Sequence, residues 1–206
     1  QGAFTVGPVI DTWVNPSTNP TQNVLLKTGE GNVKVAVKVK TLDACPAGSG
    51  LSGTCYRYDY AVHNFDLARG VLNTTPPANA GANLQVLSNK GIVSVSIPRG
   101  GDAGVHLDTG HFADIDINAS NDWTVSVRDG RLFWTSAVRN NALNWGTLFR
   151  FSFIANQAPG ANAVTMHIAA DNTRALLFWR FVSSAPSRCA RALDQSARRQ
   201  SSVANS

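Results

Sequence analysis

A chain of 206 residues with 43% hydrophobic content can bury one sizeable core, and no apolar run in it approaches the roughly 18 residues that a membrane-spanning helix needs. Only 15% of residues are charged, and the net +5 gathers at the C-terminal end: beyond Ser183, Arg188, Arg191, Arg198 and Arg199 stand against Asp194, a net +3 that leaves +2 for the body. Lys34, Lys38 and Lys40 share one strand face without interleaved aromatics, so the body shows no basic patch of the kind that tracks phosphates, and nucleic acid is not an expected partner.

In chain order, period-two alternation recurs while sustained helical spacing does not. Strands are predicted near 4–14 and 22–28. In Val33–Lys40 the valines face one way and the lysines, with Ala36, the other, which predicts a half-buried strand. Cys45 and Cys55 then bracket a Gly-rich loop from Pro46 to Gly53. Two cysteines closing so short a loop predict a disulfide, worth roughly 2–3 kcal/mol on a chain-entropy argument, and with it an oxidising compartment. Two unpaired thiols at the loop base are the alternative. Tyr56, Tyr58, Tyr60 and Val62 next alternate with Arg57, Asp59, Ala61 and His63.

Residues 72–83 are poor in bulky apolars and read as a loop crossing one end of the domain. Further strands are predicted near 84–88, over Val93, Val95 and Ile97 (alternating with Ser94 and Ser96), and near 104–107 and 112–117. Val125–Val127 and Leu132–Trp134 flank Asp129-Gly130, the strongest short hairpin motif in the chain. Phe149, Phe151 and Phe153 alternate with Arg150, Ser152 and Ile154, and strands near 163–169 and 176–182 follow. So many short strands without intervening helices predict an all-β fold, an antiparallel sandwich, jelly-roll-like or immunoglobulin-like, occupying 1–182 as one domain. Residues 183–206 form a basic Ser/Ala/Arg-rich tail, mobile or a frayed helix, in which Cys189 reads as a free or intermolecular thiol. The chain begins at Gln1 with no charged or apolar leader after it, as a mature exported chain does; a chain trimmed at its N-terminus begins the same way.

The densest polar cluster is His106–Asn118, continued by Asn121 and Asp122. On an extended segment Asp114, Asp116 and Asn118 share a face, and a turn brings Asp122 back toward them, so these four are candidate calcium ligands. The competing expectation is a set of Asx-turns, since Asp and Asn readily cap their own backbone. His106, Asp108 and His111 match no tight zinc spacing. No catalytic residues are assigned: a Gly-x-Ser-x-Gly elbow, a phosphate-cradling loop and a His-Glu-x-x-His motif are all missing from the sequence, and Glu30 is its one glutamate. Among the tryptophans, Trp123 and Trp145 lie next to turns and are the candidates for exposed, sugar-stacking ligand contacts.

The run Asn141-Ala-Leu-Asn-Trp-Gly-Thr-Leu-Phe-Arg-Phe-Ser-Phe153 resembles the N-A-L-x-W-G-T-L-x-x-F-x-F motif of a family of secreted bacterial β-sandwich domains, common in planctomycetes and proteobacteria. Tyr56–Asn64, Asp114-Ile-Asp116 and Asn121-Asp-Trp123 extend the resemblance over roughly 54–170, and the Arg/Ser tail departs from it. The resemblance implies bacterial export and a β-sandwich, and no activity. The expected function is that of a non-catalytic secreted or cell-surface module that binds a glycan or another surface component. A secreted hydrolase with its site at one end of the sandwich, and a structural subunit that self-associates through an edge strand, are the alternatives.

Overall fold

The computed structural model describes residues 7–67, 69–73, 75, 86–99, 104–136, 141–161, 163–168 and 176–178, with 69–72, 86–90 and 176–178 described by their backbone alone. The expected tail with Cys189, most of the 72–83 loop and Trp179 lie outside these residues. One short helix, α1 (Val9–Trp13), precedes β1 (Asn23–Thr28), β2 (Gly31–Thr41), β3 (Tyr56–Asn64), β4 (Arg69–Leu72), β5 (Val86–Lys90), β6 (Ile92–Pro98) and β7 (Val105–His106). Then come β8 (Phe112–Ala113), β9 (Thr124–Arg128), β10 (Arg131–Thr135), β11 (Thr147–Ala155), β12 (Thr165–Ile168) and β13 (Leu176–Phe178).

The first sheet runs β1-β2-β3-β11-β7, with β8 also paired to β11; the second runs β13-β12-β6-β10-β9; β4 and β5 make a separate ribbon. All pairings are antiparallel. The two large sheets pack face to face, which makes the chain an all-β sandwich. Its core joins Val33, Val35, Val37, Tyr58, Tyr60, Val62, Phe149, Phe151 and Phe153 of the first sheet to Ile92, Val95, Ile97, Leu132, Trp134 and Met166 of the second. Period-two alternation puts these residues on one face of each strand. The β9–β10 hairpin turns as expected: Asp129 and Gly130 have φ of 49° and 68°, the pair of positive angles that a two-residue type I′ turn requires. Cys45 and Cys55 are disulfide-bonded, with Cα atoms 5.2 Å apart, and the bond ties the end of β2 to the start of β3.

Three expected strands differ. Residues 4–14 were to be extended, but 9–13 are helical: Ile10, Trp13 and Val14 fall at i, i+3 and i+4, a spacing that alternation does not detect. Ile10 and Val14 bury against Ala36 and Ala61 on the outer face of the first sheet, so a second, smaller apolar cluster forms there. The lysine face of β2 is therefore only partly solvated. Lys34 is buried beneath α1 and ion-paired to Asp11, while Lys38 and Lys40 stay exposed. In β6 the alternation slips: a register shift opposite His167/Ile168 leaves Val93 half-buried and sends Ile92 into the core in its place. Finally, β8 ends at Ala113, and residues 114–122 form turns instead of continuing the strand.

Candidate functional site

The outer face of the first sheet carries a row of polar residues whose neighbours are set by strand register. Lys38 of β2 lies opposite Asp59 of β3, which lies opposite Ser152 of β11. The adjacent rows are Ala36–Ala61–Arg150 and Lys40–Arg57–Ile154. The small alanines of the first flanking row leave room for α1, whose Ile10 and Val14 pack on Ala36 and Ala61 so that the helix overhangs one side of this face. The helix is held there by the Asp11–Lys34 ion pair and by Asn23, whose Nδ2 donates to Asp11 Oδ1 (2.8 Å) and to the Val14 carbonyl (2.5 Å). Burial alone pushes the Asp11 carboxyl up, but its hydrogen bonds from Lys34 and Asn23 outweigh that and hold it below the usual carboxylate range. This arrangement presents Trp13 at the rim, with the Lys38 ammonium 5.2 Å from the indole centroid.

The opposite wall comes from an interruption in the sheet edge. β7 pairs with β11 at Ile154 and Ala155, β8 pairs with it at Arg150 and Phe151, and the residues between them leave the ladder. They arch over β11, held by Ser152, which donates from its backbone N–H to the His111 carbonyl (2.8 Å) and from its hydroxyl to the Gly110 carbonyl (3.0 Å). The arch delivers Asp108 to Arg57. That guanidinium donates to both Asp59 oxygens (3.2 and 3.3 Å), to Asp108 Oδ2 and to the Ser152 hydroxyl (3.4 Å). Arg150 Nη2 donates to the Gly110 carbonyl at 2.6 Å. Burial would raise the Asp108 carboxyl, but the Arg57 hydrogen bond and charge, with Arg150 nearby, keep it below its ordinary value. The result is an open groove of about 540 Å³ lined by Trp13, Lys38, Arg57, Asp59, Ala61, Leu148 and Arg150. Its size is in the range of small-ligand sites.

The expected site residues fall elsewhere. Asp114, Asp116 and Asn118 do not share a strand face; they form consecutive Asx-turns, each side-chain oxygen accepting from the N–H two residues on, at 3.0, 2.7 and 3.2 Å. The second oxygens are also engaged, Asp114 Oδ2 by Asn141 Nδ2 (2.8 Å) and Asp116 Oδ2 by Asn121 Nδ2 (3.1 Å). Ile115 and Ile117 point into solvent, and among the described residues no three His, Cys, Asp or Glu side chains gather as a group able to hold a metal ion. The hydrogen bonds already made by Asp114, Asp116 and Asn118 satisfy these turns without an ion. We therefore expect superimposable melting curves in calcium and in EDTA, with Asp116→Asn shifting Tm by no more than about 2 °C, as Asn caps as well as Asp does. A calcium-dependent rise in Tm that Asp116→Asn removes would instead establish the ion site.

Trp123 corrects a second expectation. It is 2% exposed, because the turn beside it folds it inward against Phe112, Phe149 and Phe151, and its indole N–H donates to the Asn141 carbonyl at 2.7 Å. It cannot stack on a ligand. Trp145 is exposed at 61%, on the turn before β11, but it does not line the groove. Trp13, the indole that does, was absorbed into an expected strand. Its spacing to Ile10 and Val14 is the sequence feature that could have found it.

An antiparallel β-sandwich with a charged, indole-rimmed groove on one outer face is thus the class of protein that the fold and site define. Comparison with protein-family models and with curated proteins finds no match for the chain. Among the described residues no helix is long and apolar enough to cross a membrane.

Proposed function

We propose that this chain is a non-catalytic binding module of an exported bacterial protein, and that it contacts a glycan or another cell-surface component through the groove on its outer face. The observation that carries this reading is the pairing of a rim indole with a floor of fixed hydrogen-bonding groups. Trp13 offers an apolar face to a sugar ring, and Arg57, Asp59 and Arg150 offer donors and acceptors to hydroxyls. The Cys45–Cys55 bond supports an oxidising location. Binding is favoured over hydrolysis because both carboxylates of the groove, Asp59 and Asp108, are engaged by the Arg57 guanidinium, whereas a glycosidase needs a carboxyl free to donate a proton to the leaving group.

Affinity electrophoresis of the full chain through gels containing a panel of neutral and acidic polysaccharides tests the reading. Retardation by at least one polymer is expected, and Trp13→Ala should weaken it tenfold or more, about 1.4 kcal/mol, with the β circular-dichroism signal retained. Migration unchanged by every polymer would overturn the proposal.

A further inference from the structure

We propose that the groove selects an acidic glycan, a polymer of sugars bearing ring carboxylates, and that the Lys38 ammonium beside Trp13 receives the carboxylate. This deepens the glycan reading and rests on it.

The argument is one of charge left over. Lys38, Arg57 and Arg150 bring three cations to the groove, against Asp59 in its lining and Asp108 in its wall. Both carboxylates are committed to Arg57. Among the described residues no carboxylate lies within ion-pair distance of Lys38 or Arg150. The Arg150 guanidinium is fixed in place by the Gly110 carbonyl, so its charge is a permanent part of the floor. Lys38 is exposed, and its ammonium stands over the Trp13 indole, a weak contact that an incoming carboxylate can replace.

The placement matches the ligand's shape. A uronic acid has an apolar ring face with a carboxylate at its edge, and here an indole face has a cation at its edge. A neutral sugar would use the indole and leave the surplus positive charge, three cations against two carboxylates, unanswered. A simple polyanion would answer the charges and leave the indole unused. Recognition that needs both features is specific to the carboxylated ring.

The full chain is to be measured by affinity electrophoresis at physiological salt against alginate and polygalacturonate, the same polymers with their carboxyls reduced to alcohols, and dextran sulfate. Expected are retention by at least one polyuronate, loss of at least tenfold on carboxyl reduction, and weaker retention by dextran sulfate. Lys38→Gln, at an exposed position where the fold is not at stake, should lower polyuronate affinity about tenfold and weaken any binding to the reduced polymer by clearly less. The arginines beyond Ser183 are common to both variants, so a loss on Lys38→Gln is not theirs. Equal retention by polyuronate and its reduced form, equal retention by dextran sulfate, or an unaffected Lys38→Gln variant overturns the inference. If a neutral polymer binds and Trp13→Ala abolishes that binding, the glycan reading survives this failure; if no polymer binds, both fall.

Discussion

Trp123→Ala is expected to destabilise the protein by about 3–5 kcal/mol, the range for removing a large aromatic from a packed core. The indole is fully enclosed, with ring centroids of Phe112, Phe149 and Phe151 at 5.9, 5.7 and 5.5 Å, and those three rings belong to both strands of the β8–β11 pairing. Truncation opens a cavity among rigid aromatic neighbours that have little freedom to collapse into it. It also removes the shorter of two hydrogen bonds to the Asn141 carbonyl, which keeps only the Ser136 hydroxyl at 3.1 Å. Urea denaturation followed by circular dichroism reads the change directly. Trp145→Ala serves as the internal control and should fall within about 0.5 kcal/mol of the parent, because that ring faces solvent. Equal effects at the two positions would mean that the burial of Trp123 is wrong.

The second large effect is expected at Asn64, a fully buried amide at the end of β3. Its Nδ2 donates to the carbonyls of Leu67 (2.8 Å) and Leu143 (3.0 Å), and its Oδ1 accepts from the Leu67 N–H (2.9 Å). One side chain therefore satisfies three backbone groups from two distant segments at the corner where the chain leaves the first sheet. Asn64→Ala takes the partner from the Leu67 N–H and carbonyl, while the Leu143 carbonyl keeps the Ile92 N–H; at about 1–3 kcal/mol for each of the two unsatisfied buried groups the loss should be at least about 2 kcal/mol. Asn64→Asp is the sharper test. A carboxylate keeps the acceptor but faces two carbonyls with no proton to give, so it should be at least as damaging at pH 7. The folded state then binds its proton more tightly than the unfolded chain does, so stability is present at low pH and lost as pH rises through the raised folded pKa. Recovery of Asn64→Asp on acidification, absent in Asn64→Ala, separates a missing donor from a missing volume.

Much of the sandwich was legible because alternation is local. The faces of β2, β3 and β11 follow from residues two apart, and the Asp129-Gly130 hairpin and the Cys45–Cys55 bond follow from residues adjacent or ten apart. The groove was not legible, because its rows depend on which strands are neighbours. Asp59 meets Ser152 across more than ninety positions of sequence, and no pattern within either strand announces the partner. At Asp114–Asn118 the Asx-turns, one of the two readings the sequence offered, formed in place of the extended strand, and there is a specific reason why spacing did not decide between them. A strand alternates with period two, and so do consecutive Asx-turns, since each oxygen captures the N–H two residues on. The two structures are indistinguishable by spacing, and what separates them is the exposure of Ile115 and Ile117, a property of the folded chain. Trp123 was misjudged for a related reason: adjacency to a turn says nothing of which way the turn folds a ring.

The two apolar clusters of this protein have no residue in common: Ile10, Val14, Ala36 and Ala61 lie on one side of the first sheet, and the sandwich core lies on the other. The helix that shapes the rim of the groove is five residues long, too short to persist in water without the surface beneath it. It can therefore lift away in a local opening far cheaper than global unfolding. Contacts made in the groove and the packing that holds the fold therefore draw on separate reservoirs of free energy. The rim can be altered at Val9, Thr12 or Trp13 while the barrier to unfolding, set behind the sheet, stays where it is.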